Sequence, residues 1–134
     1  MKRASLTFAL LLGACSVPQP IAGTDLQIAT FHKLLDTEDY AAIWKDTSLE
    51  MRGAATEEQM DKIFAAVHRK LGKVIESKQI GWRTNMTTNG TFAEVQMDTR
   101  FEKGTGQENF VYRQDGTQLK LAGYHITSND MMTN

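Results

Sequence analysis

The spacing of hydrophobic residues along this chain changes near Gly72. Between Thr24 and Leu71 apolar residues recur every three to four positions, which is the period of one face of a helix. After Gly72 apolar and polar residues alternate as far as Ile126, which is the period of a half-buried strand. The pattern therefore predicts helices in the first part of the chain and a sheet in the second.

Three helices are predicted before this change of period. The first begins with an N-cap at Thr24, and a second, shorter helix covers Tyr40–Trp44. The third begins where Thr56 and Gln59 have the spacing of a capping box, and it ends at Gly72. The chain between the second and third helices is predicted to form a loop.

That loop covers residues 45–55 and separates helices whose apolar stripes face a common core. The stripe of the first helix consists of Leu26, Ile28, Phe31, Leu34 and Leu35, and that of the third of Met60, Ile63, Phe64, Val67 and Leu71. Packing of the third helix on the sheet predicts that Phe64 and Val95 are both buried.

Four strands follow, separated by turn signals. They are predicted at Val74–Thr84, Thr91–Phe101, Glu108–Arg113 and Gln118–Ile126. The turns between them are Asn89-Gly90, Gly104–Gly106 and Asp115-Gly116. Strands joined by short hairpins form an antiparallel meander with one packed face. The sequence therefore predicts an α+β fold, in which N-terminal helices pack on one face of a four-stranded antiparallel sheet.

This α+β unit is predicted as a single domain over residues 24–127, followed by a frayed polar tail over residues 128–134. The length of 134 residues leaves room for one domain, and the six Phe, three Tyr and two Trp supply its core. The formal net charge is only −1, whereas nucleic-acid binding calls for a basic patch or stripe. We therefore expect no nucleic-acid partner.

The N-terminus has the pattern of a secretory signal. A basic start precedes the apolar stretch Ala4–Ala14, which is too short to span a bilayer. The segment Leu12-Gly13-Ala14-Cys15 resembles the lipobox of bacterial lipoproteins, in which cleavage leaves a lipidated N-terminal cysteine. Residues 1–14 are thus predicted to be a lipoprotein signal peptide, and residues 15–23 a lipidated N-terminus and tether. The alternative is an ordinary signal peptide in which Cys15 is incidental.

Lipidation of Cys15 would place the domain at a membrane. Cys15 is the only cysteine of the chain, and acylation removes a thiol that an oxidising compartment would leave unpaired. Several acyl chains on one residue anchor a protein stably. By resemblance to lipoprotein sorting in enterobacteria, Ser16 favours the periplasmic face of the outer membrane over retention in the inner membrane. The bilayer is therefore the first expected partner.

Four segments carry a resemblance to a fold family. They are Phe31 with Leu34-Leu35, Asp39–Trp44, Arg69–Gly72 and Leu119–Ile126. Over residues 25–127 the chain resembles the nuclear-transport-factor-2-like fold, also known as the ketosteroid-isomerase-type or cystatin-like cone. More narrowly, it resembles an uncharacterised family of small secreted and lipoprotein domains of Gram-negative bacteria. The resemblance implies a cone-shaped α+β fold and leaves the activity open.

Ketosteroid-isomerase-type enzymes place an acidic base inside an apolar cone. Here the apolar face of the second predicted strand carries no acid, and Asp98 falls on its polar face. Three residues with polar tips remain as candidates for a small ligand-binding pocket: Trp82, Tyr112 and His125. Ordinary packing of these three side chains in the core or at its rim is the alternative.

No metal, cofactor or catalytic residue is predicted. The histidines His32, His68 and His125 lie on separate predicted elements, and no calcium-loop or phosphate-loop spacing is present. A metal site would need His32 and His68 to meet through side-by-side packing of the first and third helices. The polar face of the second strand, with Glu94 and Asp98, is either solvated or a protein-docking face.

Two functions stay open from the sequence. The first is a non-catalytic, periplasm-facing outer-membrane lipoprotein that binds a protein partner or a small hydrophobic ligand, of accessory or immunity type. The alternative is a small cone-fold enzyme of ketosteroid-isomerase type. A concave site with converging acids or bases would distinguish the enzyme from the binding protein.

Overall fold

A computed structural model describes residues 20–134, and the predicted signal peptide with most of the tether lies outside these residues. The helices are α1 (Thr24–Asp36), α2 (Tyr40–Lys45), α3 (Leu49–Ala54), α4 (Glu57–Leu71) and α5 (Asn129–Thr133). The strands are β1 (Val74–Thr87), β2 (Gly90–Phe101), β3 (Gly104–Asp115) and β4 (Gln118–Thr127). Within the described residues, no helix is long and apolar enough to cross a membrane.

The strands form one antiparallel sheet in the order β1-β2-β3-β4, with the helices against one face. The predicted α+β arrangement of helices followed by a four-stranded meander is therefore confirmed. We call the helix-covered side the inner face and the other side the outer face. The core lies between α1, α4 and the inner face, where Phe64 and Val95 are both fully buried, as predicted.

Helix α4 shows how local sequence sets an element. Thr56 and Gln59 form the predicted capping box, and Gly72 ends the helix with a φ of 78°, which favours glycine. The predicted stripe is buried except for Ile63, which is 43% exposed. In α1 the corresponding exception is Leu26, which is 70% exposed. Each predicted stripe therefore includes one residue that is not buried.

Thr24 does not cap α1, contrary to the prediction. Gly23 occupies the N-cap position with a φ of 94°, and the Thr24 hydroxyl donates to the Ile21 carbonyl at 2.9 Å. The prediction of a loop over residues 45–55 was also wrong, because α3 forms there. The Ser48 hydroxyl caps α3 by accepting from the Met51 amide, and Met51 is buried.

Two further predictions about the second half are corrected. Strand β3 already begins at Gly104, so the turn lies at residues 102–103 and not at Gly104–Gly106. The tail predicted to be frayed contains α5, whose first turn is capped by the Ser128 hydroxyl. The Lys70 ammonium donates to the Met131 carbonyl at 2.7 Å, which ties α5 to α4.

Candidate functional site

One carboxylate lies inside the core. The inner face of β3 carries Gly106, Glu108, Phe110 and Tyr112, since alternate residues of a strand share a face. Glu108 stands opposite Met97 of β2 and Ile126 of β4, and its side chain is fully buried. A carboxylate is costly to bury unless hydrogen-bond donors surround it. The donors around Glu108 therefore define the candidate site.

Three side chains from three different elements contact Glu108. His32 of α1 places Nε2 2.7 Å from Oε1, and the Thr99 hydroxyl of β2 donates to the same oxygen at 2.6 Å. The Tyr124 hydroxyl of β4 donates to Oε2 at 2.7 Å. Ser77 of β1 extends the cluster, with its Oγ 2.7 Å from Thr99 Oγ1. An ionised carboxylate only accepts, so it would fix the His32 tautomer that carries a proton on Nε2.

We call Glu108 with His32, Thr99, Tyr124 and Ser77 the buried polar cluster. Burial, followed by the neighbouring Glu108 carboxylate, raises the pKa of Tyr124 well above its usual value, so its hydroxyl stays a donor. Apolar rings enclose the cluster. The ring centroids of Phe31 and Tyr124 are 4.8 Å apart, and those of His32 and Phe110 are 5.7 Å apart.

The chemistry open to this cluster follows from its enclosure. Both oxygens of Glu108 face protein donors, and the side chain of His32 is only 9% exposed. A substrate would have to displace one of these contacts before it could reach the carboxylate. The arrangement instead ties α1 to β2, β3 and β4 through one residue, because each donor comes from a different element.

The structure separates the three residues predicted to line a pocket. Trp82 lies on β1 and is 49% exposed, whereas His125 is exposed on β4, so they stand at opposite edges of the sheet. Tyr112 lies between them on the inner face of β3 and is buried. Burial, with the charges of Asp46 and Glu108, raises the pKa of Tyr112. The three residues therefore do not form a common pocket.

The cavities beside these residues are small or open. Next to Tyr112 a cavity of about 20 Å³ lies against Phe31 and Leu34, which is room for about one water molecule. Beside Trp82 an open cleft of about 390 Å³ is bordered by Arg83 and Glu94. The first cavity is too small for an organic ligand, and the second is a surface feature.

The histidines do not meet. His32 contacts Glu108, whereas the Nε2 atom of His68 lies 3.9 Å from Glu38 Oε1. Among residues 20–134, no three His, Cys, Asp or Glu side chains are arranged to hold a metal ion. The absence of a bound metal stays a prediction, and metal analysis of the purified protein would test it.

Sequence reasoning missed Glu108 because the clearest alternation of apolar and polar residues is in the second predicted strand, whose apolar face carries no acid. The expectation for the second strand is confirmed, since its buried face carries no acid and Asp98 is exposed. The next strand places Glu108 on the same inner face, so the lack of an acid no longer argues against isomerase-type chemistry. A signal was present: Glu108 shares the period-two positions of Phe110 and Tyr112. Its burial was hidden because its donor His32 is 76 residues away.

The outer face of β2 is polar, as predicted. Glu94 accepts from Arg83 Nε at 2.5 Å and from Asn109 Nδ2 at 3.1 Å, and Arg100 lies 3.5 Å from Glu76. The Arg83–Glu94 and Arg100–Glu76 pairs are exposed, so each contributes little to stability, whereas the Asn109–Glu94 hydrogen bond is partly buried.

Comparison with known proteins identifies the domain. A family model described as "protein of unknown function (DUF4019)" matches residues 28–124. No curated protein matches the sequence. The matched region begins within α1, ends within β4 and contains His32, Thr99, Glu108 and Tyr124 of the buried polar cluster. Because the match covers more than half of the chain, this protein belongs to the DUF4019 family.

Proposed function

We propose that this protein is a non-catalytic lipoprotein that is anchored through Cys15 at the periplasmic face of the outer membrane and binds another protein. The observation that carries the non-catalytic role is the enclosure of Glu108. A general acid or base must lie within hydrogen-bond reach of its substrate, directly or through one water. Glu108 has three protein donors in those positions. Its role in this proposal is to hold the scaffold together.

The anchor in this proposal rests on the sequence around Cys15, which resembles a lipobox. Metabolic labelling with radioactive palmitate tests it in cells that express the full chain. We expect the label on the unmodified protein and its loss in Cys15→Ser. Label that persists in Cys15→Ser would contradict the anchor.

A protein is the better candidate than a small hydrophobic ligand. The cavity beside Tyr112 has room for about one water molecule, so it offers no apolar ligand site. The outer face of β2, by contrast, presents exposed Gln96 and Asp98 between the ion pairs of Glu94 and Arg100. A non-obligate protein interface is as a whole about as polar as the rest of a protein surface, so this composition is compatible with docking.

Position-specific photo-crosslinking in intact cells tests this docking face. A photoreactive residue at Gln96 should give a discrete adduct that depends on lipidation of Cys15. The same residue at Lys62, on the exposed side of α4, is the matched control because that side chain is 74% exposed. Equal adducts at both positions, or none at Gln96, would contradict docking through the outer face.

We further propose that the fold is the nuclear-transport-factor-2-like cone, as the resemblance implies. In that family context, the pairing of Glu108 with Tyr124 favours a second candidate, a small enzyme of ketosteroid-isomerase type. The test is an isomerisation assay with a β,γ-unsaturated ketone. Turnover that is present in the unmodified protein and lost in Glu108→Gln would replace the non-catalytic proposal.

A further inference from the structure

The tip of the β1–β2 hairpin differs in composition from the rest of the chain. Residues 84–93 contain no Asp, Glu, Lys or Arg, although 23% of the sequence is charged. Met86 within this stretch is 75% exposed, and Trp82 just before it is 49% exposed. Exposed apolar side chains beside an uncharged stretch are typical of a surface that contacts another apolar phase.

The two exposed side chains point to the same side of the sheet. Trp82 pairs with Val95, and Met86 pairs with Thr91; antiparallel partners share a face. That face is the inner one, because Val95 is buried in the core. On this face Ala93 of β2 is still buried, whereas Trp82, Thr84 and Met86 of the edge strand β1 are exposed.

The chain enters the domain beside these exposed residues of β1. The Thr84 hydroxyl, between Trp82 and Met86 on the same face, donates to the Pro20 carbonyl at 3.0 Å. From Pro20 back to Cys15 is five residues, which span at most about 18 Å even when fully extended. If Cys15 carries lipid, the Pro20 carbonyl that Thr84 binds lies no more than about 18 Å from the anchor.

A third exposed apolar residue lies at the same end of the domain. Leu26, in the first turns of α1, is 70% exposed and borders an open cleft with Thr117 of the β3–β4 turn. The β3–β4 turn lies at the same end of the sheet as the β1–β2 turn, since Phe92 pairs with Arg113. Asp115 beside that turn is charged, which favours contact at headgroup depth over insertion into the hydrocarbon.

We propose that the β1–β2 hairpin tip, through Trp82 and Met86, rests on the lipid surface of the membrane that holds Cys15. This inference rests on the proposed lipid anchor. Tryptophan is enriched at membrane–water interfaces because its ring is apolar and its N–H is polar. The Thr and Asn residues of the tip bring no charge that would have to be desolvated there. The tether therefore sets an orientation of the domain as well as its location.

The test uses the protein purified from membranes and reconstituted in phosphatidylethanolamine–phosphatidylglycerol vesicles, with and without acyl chains brominated near the headgroup. The chain has two tryptophans, so Trp44→Phe reports on Trp82 alone, and Trp82→Phe reports on Trp44 alone. Trp44 lies on α2 under the Arg52 guanidinium, which makes it the internal control. We expect brominated lipid to lower Trp82 emission about twofold and to leave Trp44 emission nearly unchanged. Equal emission of Trp82 in both kinds of vesicle would overturn the proposal.

A pair of methionine variants separates surface contact from misfolding. Met86→Glu should weaken the quenching of Trp82, because it puts a charge into the contact. Met132→Glu is the matched control, since Met132 is 84% exposed on α5 near the other end of the sheet. Both variants should unfold at the same urea concentration as the parent protein. Quenching that both variants weaken equally would overturn the proposal.

Mass spectrometry of the same sample reports separately on the anchor. If Cys15 carries no acyl group, the anchor is replaced chemically. A protein of residues 15–134, which retains the whole described domain, is coupled to a maleimide phospholipid through the Cys15 thiol, the only thiol of the chain. Quenching of Trp82 after coupling supports the hairpin contact although the natural anchor has failed. Its absence after coupling overturns the contact as well.

Discussion

The inner face of the sheet has two regions with opposite exceptions to the rule that apolar residues lie inside. Under α1 it buries a carboxylate, and near the β1–β2 turn it exposes a tryptophan and a methionine. Glu108 is tolerated because three donors converge on it, whereas Trp82 and Met86 are left open where the chain enters the domain. Buried polar groups and exposed apolar groups are the informative departures from ordinary packing. The buried carboxylate has the role of holding the scaffold together, and the exposed Trp82 and Met86 form the proposed membrane-contact surface.

The largest loss of stability is expected when the buried carboxylate of Glu108 is removed. Glu108→Ala leaves His32, Thr99 and Tyr124 without their shared acceptor, and breaking such a buried pair costs about 3–5 kcal/mol. Urea unfolding followed by circular dichroism measures this loss. Glu76→Ala, which removes an exposed carboxylate that pairs with Arg100, is the control and should cost less than about 1 kcal/mol. A loss below 1 kcal/mol for Glu108→Ala would mean that the cluster contributes little to the scaffold.

Truncation of one aromatic residue in each region sharpens the contrast. Phe64→Ala should cost about 3–5 kcal/mol, because the ring is fully buried and its removal leaves a cavity. Trp82→Ala should cost clearly less, since about half of that residue is already in contact with solvent. Equal losses of unfolding free energy in the two variants would show that Trp82 belongs to the core after all.

The order of elements and the boundaries of α4 could be predicted because they depend on local spacing, such as the capping box at Thr56. The helix α3 was missed because six residues are too few to show a period, although Ser48 gave a capping signal. The buried polar cluster could not be predicted as a unit, since Glu108 and His32 are far apart in sequence. The exposed position of Trp82 depends on where the helices end over the sheet, which no local pattern encodes.

The dependence of stability on pH tests the burial of the tyrosine hydroxyls. Burial raises the pKa of both Tyr124 and Tyr112 in the folded protein, whereas in the unfolded chain both titrate near the ordinary tyrosine pKa of about 10. Above about pH 10 the unfolded chain therefore loses protons that the folded protein keeps, so the free energy of unfolding falls as pH rises. Below that pH both states hold the protons and this contribution is constant.

Tyr124→Phe should reduce that fall, because it removes one of the three raised tyrosine pKa values, those of Tyr40, Tyr112 and Tyr124. Urea unfolding of the variant and the parent protein between about pH 9 and pH 11.5 measures the difference in slope. The variant also loses a donor to Glu108 and starts from a lower stability, so the slopes and not the absolute values are compared. An unchanged slope would mean that the Tyr124 hydroxyl ionises as it does in water.

The smallest effect is expected at the point where the chain enters the open region. Thr84→Val removes the hydrogen bond to the Pro20 carbonyl and keeps the β-branched shape that suits a strand. The bond is exposed, so its loss should cost about 0.5–1 kcal/mol of unfolding free energy, near the lower end for a hydrogen bond.

The more specific readout is amide hydrogen exchange at Gln27, whose N–H donates to the Gly23 carbonyl in the first turn of α1. Release of Pro20 should speed exchange there through local opening, whereas Thr91→Val on the facing strand should not. Unchanged exchange at Gln27 in Thr84→Val would show that the start of α1 is held without this bond, and that the tether is free to leave the hairpin.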